Sequence, residues 1–543
     1  MNALVFIFKN LSIYRARFIV IFIMGILDGA ALFAIPVLLA EFTKTNLDTH
    51  RFIQLAIAVL CAYVLSLILQ WFIRNYGEAM AQQFANHIRL VYFRKLVELP
   101  PTELKKYHSG YTLSLINNVS EGMTPILFSI FWTVALSTSN LILFFYFTAR
   151  ESFLVACVNF LTLSIFIIAS VLLSRKMIPI TQELNARRAS LFERYADFMA
   201  NIITVQRLNV VDFAYAKIAD KTLTHNQQIS QLQKFHANRW AFLHSLFGFA
   251  FLSTIGFLLL QISRGVLSPS VLILFIAAYA IIRGNIERLS EYVKDLMVMN
   301  GYIQNLDEVL MQVLPVKNGT LPLRWQEMSL KDVQLHLQDA TAVISIPALT
   351  LQKGKIISLT GASGQGKTTV LNILMNNVQP SQGERYIDGI EFKSIDPDFF
   401  RQHITYISQE TELFNLSVRD NLTLGVNIPE VVLEKTLTDI GLGEWYRQLT
   451  DGFETIVGEK GVKMSAGQKQ RLNIARGVLL DRDIVLLDEP TSHLDEATEQ
   501  VVVKYLQQAL KNKTVVIVTH RSAVEELSHR RYVMTKHSLQ EIQ

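Results

Sequence analysis

Hydrophobic residues fall into two regimes along the chain. Between residues 18 and 285 they form six long runs, roughly 18 to 40, 53 to 73, 123 to 147, 152 to 173, 241 to 261 and 268 to 285. A helix needs about 20 apolar residues to cross the hydrocarbon core of a bilayer, so each run predicts a transmembrane span. After about residue 315 no such run recurs. Short apolar stretches there alternate with helical patterns, which predicts an α/β domain with a largely parallel sheet. The expected organisation is an all-α six-helix transmembrane domain over 1–315 and an α/β domain over 316–543. An amphipathic stretch, 301 to 314, and a linker, Pro315 to Pro322, separate the two.

The segments between spans carry unequal charge. Residues 74 to 122 and 174 to 240 hold sixteen Lys or Arg, whereas 41 to 52, 148 to 151 and 262 to 270 hold four. The positive-inside rule then puts both termini in the cytoplasm. The two basic segments are long and mostly free of Pro and Gly, so they predict helices that extend the spans below the bilayer. Pro100 and Pro101 interrupt the first, and a reversal is expected near Asn209 to Tyr215 in the second. Each reversal predicts a short transverse element, at 99 to 107 and at 209 to 217.

Composition sharpens this picture. Half of the 543 residues are hydrophobic and the mean hydropathy is +0.29, which indicates a membrane protein. A net charge of +5 and a pI near 8.9 fit loops facing anionic lipid, with no nucleic-acid partner expected. The two cysteines, Cys61 and Cys157, exclude a disulfide framework. Asp28 lies inside the first run. A central carboxylate costs about 3 kcal/mol to insert, and thirteen Leu, Ile, Val and Phe between 18 and 38 offset it by about 0.3 to 0.6 kcal/mol each. Asp28 is therefore expected to face protein or a wet cavity. Asn140, Asn159, His244 and the run Phe144 to Phe147 are expected to make ordinary polar and packing contacts.

The chemistry sits in the second half. GASGQGKT, Gly361 to Thr368, follows an apolar run and precedes a helical one, matching G-x-x-x-x-G-K-[ST] of a P-loop NTPase. Gly361, Ala362, Ser363, Gly364, Gln365, Gly366, Lys367, Thr368 and Thr369 are the expected ATP cradle. In that pattern Lys367 reaches the β- and γ-phosphates and the Thr368 hydroxyl ligates magnesium. The run Ile484 to Leu487 predicts a buried strand ending in Asp488 and Glu489. One carboxylate there can hold a magnesium shell, and its neighbour can polarise water for attack on the γ-phosphate. His520 ends another apolar strand, and KMSAGQKQRLNIARG runs from Lys463 to Gly477.

With these motifs the chain resembles, over nearly its full length, a half-size type I ATP-binding-cassette (ABC) exporter. The resemblance implies ATP and Mg2+ as cofactors and a second copy of the chain as partner, with a heterodimer as the alternative. It makes Gln409 a magnesium-sensing ligand beside Thr368 and Asp488, Glu489 the general base and His520 the γ-phosphate switch. Ser465, Gly467 and Gln468 become the signature loop that caps the partner's ATP, and Asp495 an acid that crosses the dimer. The run Thr455 to Gly461 is similar to a cross-loop. Met464, Ala466 and His493 depart from the family pattern, and the usual adenine-stacking aromatic aligns with Leu337, beside His336. The resemblance also implies a fold with alternating access in a bacterial inner membrane. The stretch Tyr107 to Gly122 is similar to exporters of small antibacterial peptides, and any peptide is expected to arrive already processed. A lipid flippase and a thiol or haem exporter are alternative cargoes, and an ATP-gated channel or sensor the alternative of another class.

Overall fold

The computed structural model describes residues 3–43, 48–99, 109–311, 319–322, 324–336, 343–409, 412–458 and 462–542. The chain divides into two compact units, Met1–Val313 and Leu314–Gln543. The expected boundary at 315/316, Pro100 and Pro101 with most of the 99–107 element, and Leu337 lie outside the described residues.

Among the described residues, six helices of the first unit are long and apolar enough to cross a membrane. The second, Thr49–Val97, leaves Leu60, Leu67 and Trp71 exposed along its length. Such a stripe is tolerated in lipid and not in water. The helical extensions are continuous with their spans. The fifth helix is unbroken over Val211–Ser263, its 53 residues spanning about 80 Å at about 1.5 Å each. The sixth runs from Pro269 to Met311, so the expected span and the amphipathic stretch after it are one element.

The second reversal falls earlier than its expected place. The helix Met177–Ala200 ends, a short helix covers Ile202–Arg207, and Val211 already begins the fifth long helix. The break is made by Asn201 and by Asn209, which adopts φ +53, a conformation that asparagine tolerates better than most side chains. The short element between the two long helices is thus the helix Ile202–Arg207, where 209–217 was expected. A further helix, Ala3–Asn10, precedes the first span. It buries Phe6 and Ile7, stacks Phe6 on Tyr92 at 5.6 Å, and its Ala3 N–H donates to Asn300 Oδ1 at 2.6 Å.

Small residues let the spans approach closely. Cβ atoms built on Gly25 and Gly29, one turn apart on Arg15–Glu41, would meet Phe131 O at 2.6 Å and Leu136 O at 2.7 Å. The third span takes a π-helical turn at Ile130–Ala135, and the second at Ile73–Gly77. Asp28 is fully buried, and Ser66 Oγ donates to its Oδ1 at 2.5 Å. His244 pairs with Glu287 at 2.8 Å, Asn159 donates to Val155 O at 2.8 Å, and Phe147 stacks on Phe33. The buried Arg239 reaches Ser174 at 3.2 Å and Glu291 at 3.1 Å, a compensation that a charge within a span requires.

Among the described residues the second unit is built on one ten-stranded sheet. Its strands are β1 (Glu327–His336), β2 (Val343–Gln352), β3 (Ile356–Thr360), β4 (Gln382–Ile387), β5 (Ile390–Glu391), β6 (Ile404–Ile407), β7 (Ile484–Asp488), β8 (Thr514–Val518), β9 (Arg530–Thr535) and β10 (Ser538–Ile542). They are ordered β5-β4-β1-β2-β10-β9-β3-β8-β7-β6. The sheet is mixed, where a largely parallel one was expected. Strands β9, β3, β8, β7 and β6 run parallel, while β5, β4, β1 and β2 pair antiparallel. Burial explains the split: β7 and β8 are buried at every position, as a strand covered on both faces must be. Strand β1 alternates with exposed Lys331 and Asp332 and suits a half-covered edge region.

Candidate functional site

The parallel strands deliver their C-terminal ends to one place, where ligands of open α/β sheets bind. Strand β3 runs into Gly361–Gly366 and then the helix Lys367–Leu374. Three glycines make the loop possible for different reasons. Gly361 has φ +130, and a Cβ on it would lie 2.4 Å from Met534 O. Gly366 has φ +105, and its Cβ would lie 2.6 Å from Ile344 Cδ1. Around Gly364, with φ +79, there is open space, so conformation alone calls for glycine there.

Lys367 is tucked back over this loop. Its ammonium donates to Gly361 O at 2.6 Å and Ala362 O at 3.1 Å and stands 3.0 Å from His520 Nε2. An ammonium only donates, so His520 Nε2 accepts and its proton resides on Nδ1. Burial holds the Lys367 pKa below the usual lysine value, against the opposing charges of Glu489 and Asp488.

The oxygen ligands expected for magnesium also converge. Thr368 Oγ1 donates to Asp488 Oδ2 at 2.8 Å, and Tyr406 OH donates to the same oxygen at 3.1 Å. Hydroxyl and carboxylate oxygens are the hard donors that Mg2+ prefers. Among the described residues no group of three His, Cys, Asp or Glu could hold a metal ion. Gln409 Nε2 donates to Glu489 Oε2 at 2.9 Å, an orientation that keeps its own amide oxygen for a metal.

Glu489 is held in a costly conformation. Its φ is +49, a left-handed geometry worth about 1 to 3 kcal/mol for such a residue. Its N–H donates to Val518 O at 2.9 Å, its carboxylate faces Gln409 and stands 3.5 Å from His520 Nε2, and its carbonyl accepts from Gln470 Nε2 at 3.1 Å. Gln470 is 2% exposed, donates to Ser492 Oγ at 3.2 Å and accepts from His493 N at 3.2 Å. It lies in the helix Ala466–Leu479, so the signature helix and the loop after β7 are stapled together. Gln470 leaves no signal in the sequence, because a glutamine inside a helix carries no pattern of its own. Gln470→Leu keeps its bulk and removes these bonds. Steady-state ATP hydrolysis is expected to fall about tenfold with nucleotide affinity unchanged, read by turnover against equilibrium binding.

The signature residues form a tight helix start. Ser465 Oγ accepts from Gln468 N at 3.1 Å, and Gln468 Oε1 accepts from Ser465 N at 2.9 Å, a reciprocal capping box. Met464 is buried in the core, so its exchange for leucine conserves packing. Among the described residues no hydrogen bond joins Ser465, Gly467 or Gln468 to the Gly361–Thr369 loop. Asp495 has a role within its own chain: it caps the helix Glu496–Ala509, accepting from Thr498 N and Thr498 Oγ1, both at 2.9 Å. Those bonds hold its carboxyl below the usual aspartate range. Val457 N donates to Leu416 O at 2.9 Å, which packs the cross-loop onto the segment after Gln409; residues 459–461 lie outside the described set.

A six-span membrane unit followed by a P-loop nucleotide unit defines a multi-pass membrane protein with its own nucleotide site. Family models agree: the ABC transporter transmembrane region matches residues 18–286, and the ABC transporter domain matches residues 345–492. The chain belongs to the ABC transporters and has the half-size exporter organisation. It is similar to the alpha-hemolysin translocation ATP-binding protein HlyB of Escherichia coli, 33% identical over 46% of this chain and 36% of that protein. Against the uncharacterized ABC transporter ATP-binding protein YwjA of Bacillus subtilis it is 25% identical over 97% of this chain and 93% of that protein. It also resembles the toxin RTX-I translocation ATP-binding protein of Actinobacillus pleuropneumoniae, 30% identical over 46% of this chain. The chain thus spans about a third of the length of these two toxin translocators. The fold matches a bacterial Atm1-family ABC exporter solved with ATP bound, with a TM-score of 0.87 over 98% of this chain and 95% of that one at 18% identity.

Proposed function

We propose that the protein is an ATP-hydrolysing exporter, built from two copies of this chain, that moves a small peptide out of the cytoplasm across a bacterial inner membrane. One observation carries the reading: Lys367, Thr368, Gln409, Asp488, Glu489 and His520, from four separate segments, meet within hydrogen-bond distances at the ends of β3, β6, β7 and β8.

In this reading the amides of Gly361–Thr369 and the start of the helix Lys367–Leu374 bind the phosphates, and the Lys367 ammonium pairs with their charge. Thr368, Asp488 and Gln409 would hold magnesium, which when bound neutralises charge developing on the phosphate oxygens. The Glu489 carboxylate takes the proton of the attacking water, oriented by Gln409 and by His520. A second copy brings Ser465, Gly467 and Gln468 to close the site, because the capped N-terminus of Ala466–Leu479 is itself an anion-binding end. Binding and hydrolysis then switch the spans between inward and outward access, with both termini cytoplasmic.

A cleft of about 410 Å3 in the membrane unit, walled by Thr133, Arg239, Trp240, His244, Glu287 and Glu291, offers room and polar groups for a cargo. Two relatives are named for toxin translocation, and this reading extends that kind of cargo to a small peptide here. The test is ATPase activity of the purified protein in lipid against a panel of peptides, lipids and drugs. Stimulation by a peptide is expected. Stimulation by lipid headgroups alone would replace the cargo, and absence of any ATP hydrolysis would overturn the function.

A further inference from the structure

We infer that His537 is a positioning residue for the phosphate-binding loop, holding the Gln365 carbonyl outward so that the Gly366 amide faces the nucleotide. The inference rests on the proposed role of Gly361–Thr369 as an ATP cradle.

His537 lies outside every motif of the sequence, in the two-residue turn between β9 and β10. Both turn residues adopt left-handed backbone, Lys536 at φ +47 and His537 at φ +61. Asn-Gly would suit this hairpin turn far better, since a side chain there is strained and glycine is not. Something else must favour histidine. Its ring Nδ1 stands 3.1 Å from Gln365 O, and its backbone N–H donates to Gln365 Oε1 at 3.0 Å. A carbonyl oxygen only accepts, so Nδ1 carries the proton and His537 donates twice to one residue. Its own carbonyl accepts from Ser345 N at 2.8 Å, which ties the turn to β2.

The geometry of the peptide unit converts this latch into a function. The 365–366 peptide is trans, as no cis bond occurs among the described residues, so the Gln365 C=O and the Gly366 N–H point in opposite directions. A carbonyl drawn toward His537 turns the following Gly366 amide away from the β9–β10 turn. Gly366, with φ +105, is free enough for this peptide to rotate when nothing holds it. Lys367 fixes the loop at the other end through Gly361 O and Ala362 O, so the two anchors act on different peptides.

The test uses the full chain in lipid, magnesium and a non-hydrolysable ATP analogue, with dissociation constant and thermal midpoint measured on the same samples. His537→Gly removes the ring and relieves the turn. Its dissociation constant is expected to rise about fivefold, the loss of about one neutral hydrogen bond, while the thermal midpoint holds or rises. His537→Asn tolerates the same backbone and can donate its amide to Gln365 O, so it should recover much of the affinity. Gln365→Ala keeps the backbone carbonyl and should weaken binding less than His537→Gly. Unchanged affinity in His537→Gly, or affinity that falls only together with the thermal midpoint in every variant, overturns the latch. Failure of the wild-type chain to bind the analogue would instead overturn the cradle itself, and Lys367→Ala serves as the non-binding reference.

Discussion

Replacing Glu489 with Gln leaves ATP binding intact and lowers steady-state hydrolysis by about a hundredfold or more. A general base contributes about 10² to 10⁴ in rate, and an amide of the same shape cannot take up the proton. The strained backbone at φ +49 and its bonds to Val518 and Gln470 do not involve the carboxylate, so the loop should keep its place. Turnover and analogue binding measured on one preparation separate the two effects. Normal steady-state hydrolysis by this variant would remove Glu489 from the proposed mechanism.

Gly29→Leu in the first span is expected to prevent a stably packed membrane unit. Its Cβ would lie 2.7 Å from Leu136 O and 2.9 Å from Ser139 Cβ, and backbone in a neighbouring span cannot yield as a side chain can. Overpacking a core costs about 1 to 3 kcal/mol, and a backbone clash belongs at or above the top of that range. Gly25→Leu meets Phe131 O at 2.6 Å and should behave alike. Gly256→Leu, in a fifth span with nothing within 4 Å of its Cβ, is the control expected to be harmless. Thermal unfolding in detergent and the yield of monodisperse protein report the difference. Equal behaviour of Gly29→Leu and Gly256→Leu would contradict the packing.

What the sequence made legible, and what it hid, follows from how far each signal reaches along the chain. Six spans were readable because about 20 apolar residues leave no other solution. GASGQGKT was readable because a phosphate loop needs its glycines at fixed spacing, and Gly361 and Gly366 sit where side chains would collide with Met534 and Ile344. The break at Asn209 was legible, but the helix 202–207 ahead of it was not, because Asn201 interrupts the chain by conformation rather than by a Pro or Gly signal. The helix Ala3–Asn10 left no signal of its own, because its 8 residues are too few to stand out ahead of the first apolar run at 18 to 40. The β1–β4 pairing was hidden because it joins segments some 55 residues apart, whereas β1–β2 and β4–β5 are local hairpins, the second turning through Asp388 and Gly389, so their signal was present in the sequence. Asp495 as a helix cap was readable in principle, with Thr498 three residues on, but the loop role suggested by resemblance took precedence.

The proposed function comes down to whether ATP hydrolysis at this site moves a cargo against its gradient. The most direct test uses inside-out proteoliposomes of the wild-type chain and of Glu489→Gln, each given ATP, magnesium and the peptide that best stimulates hydrolysis. The expected result is ATP-dependent accumulation of that peptide in the wild-type vesicles and none in the Glu489→Gln vesicles. Equal accumulation in both, or an ATP-dependent ion current with no peptide uptake, would contradict it.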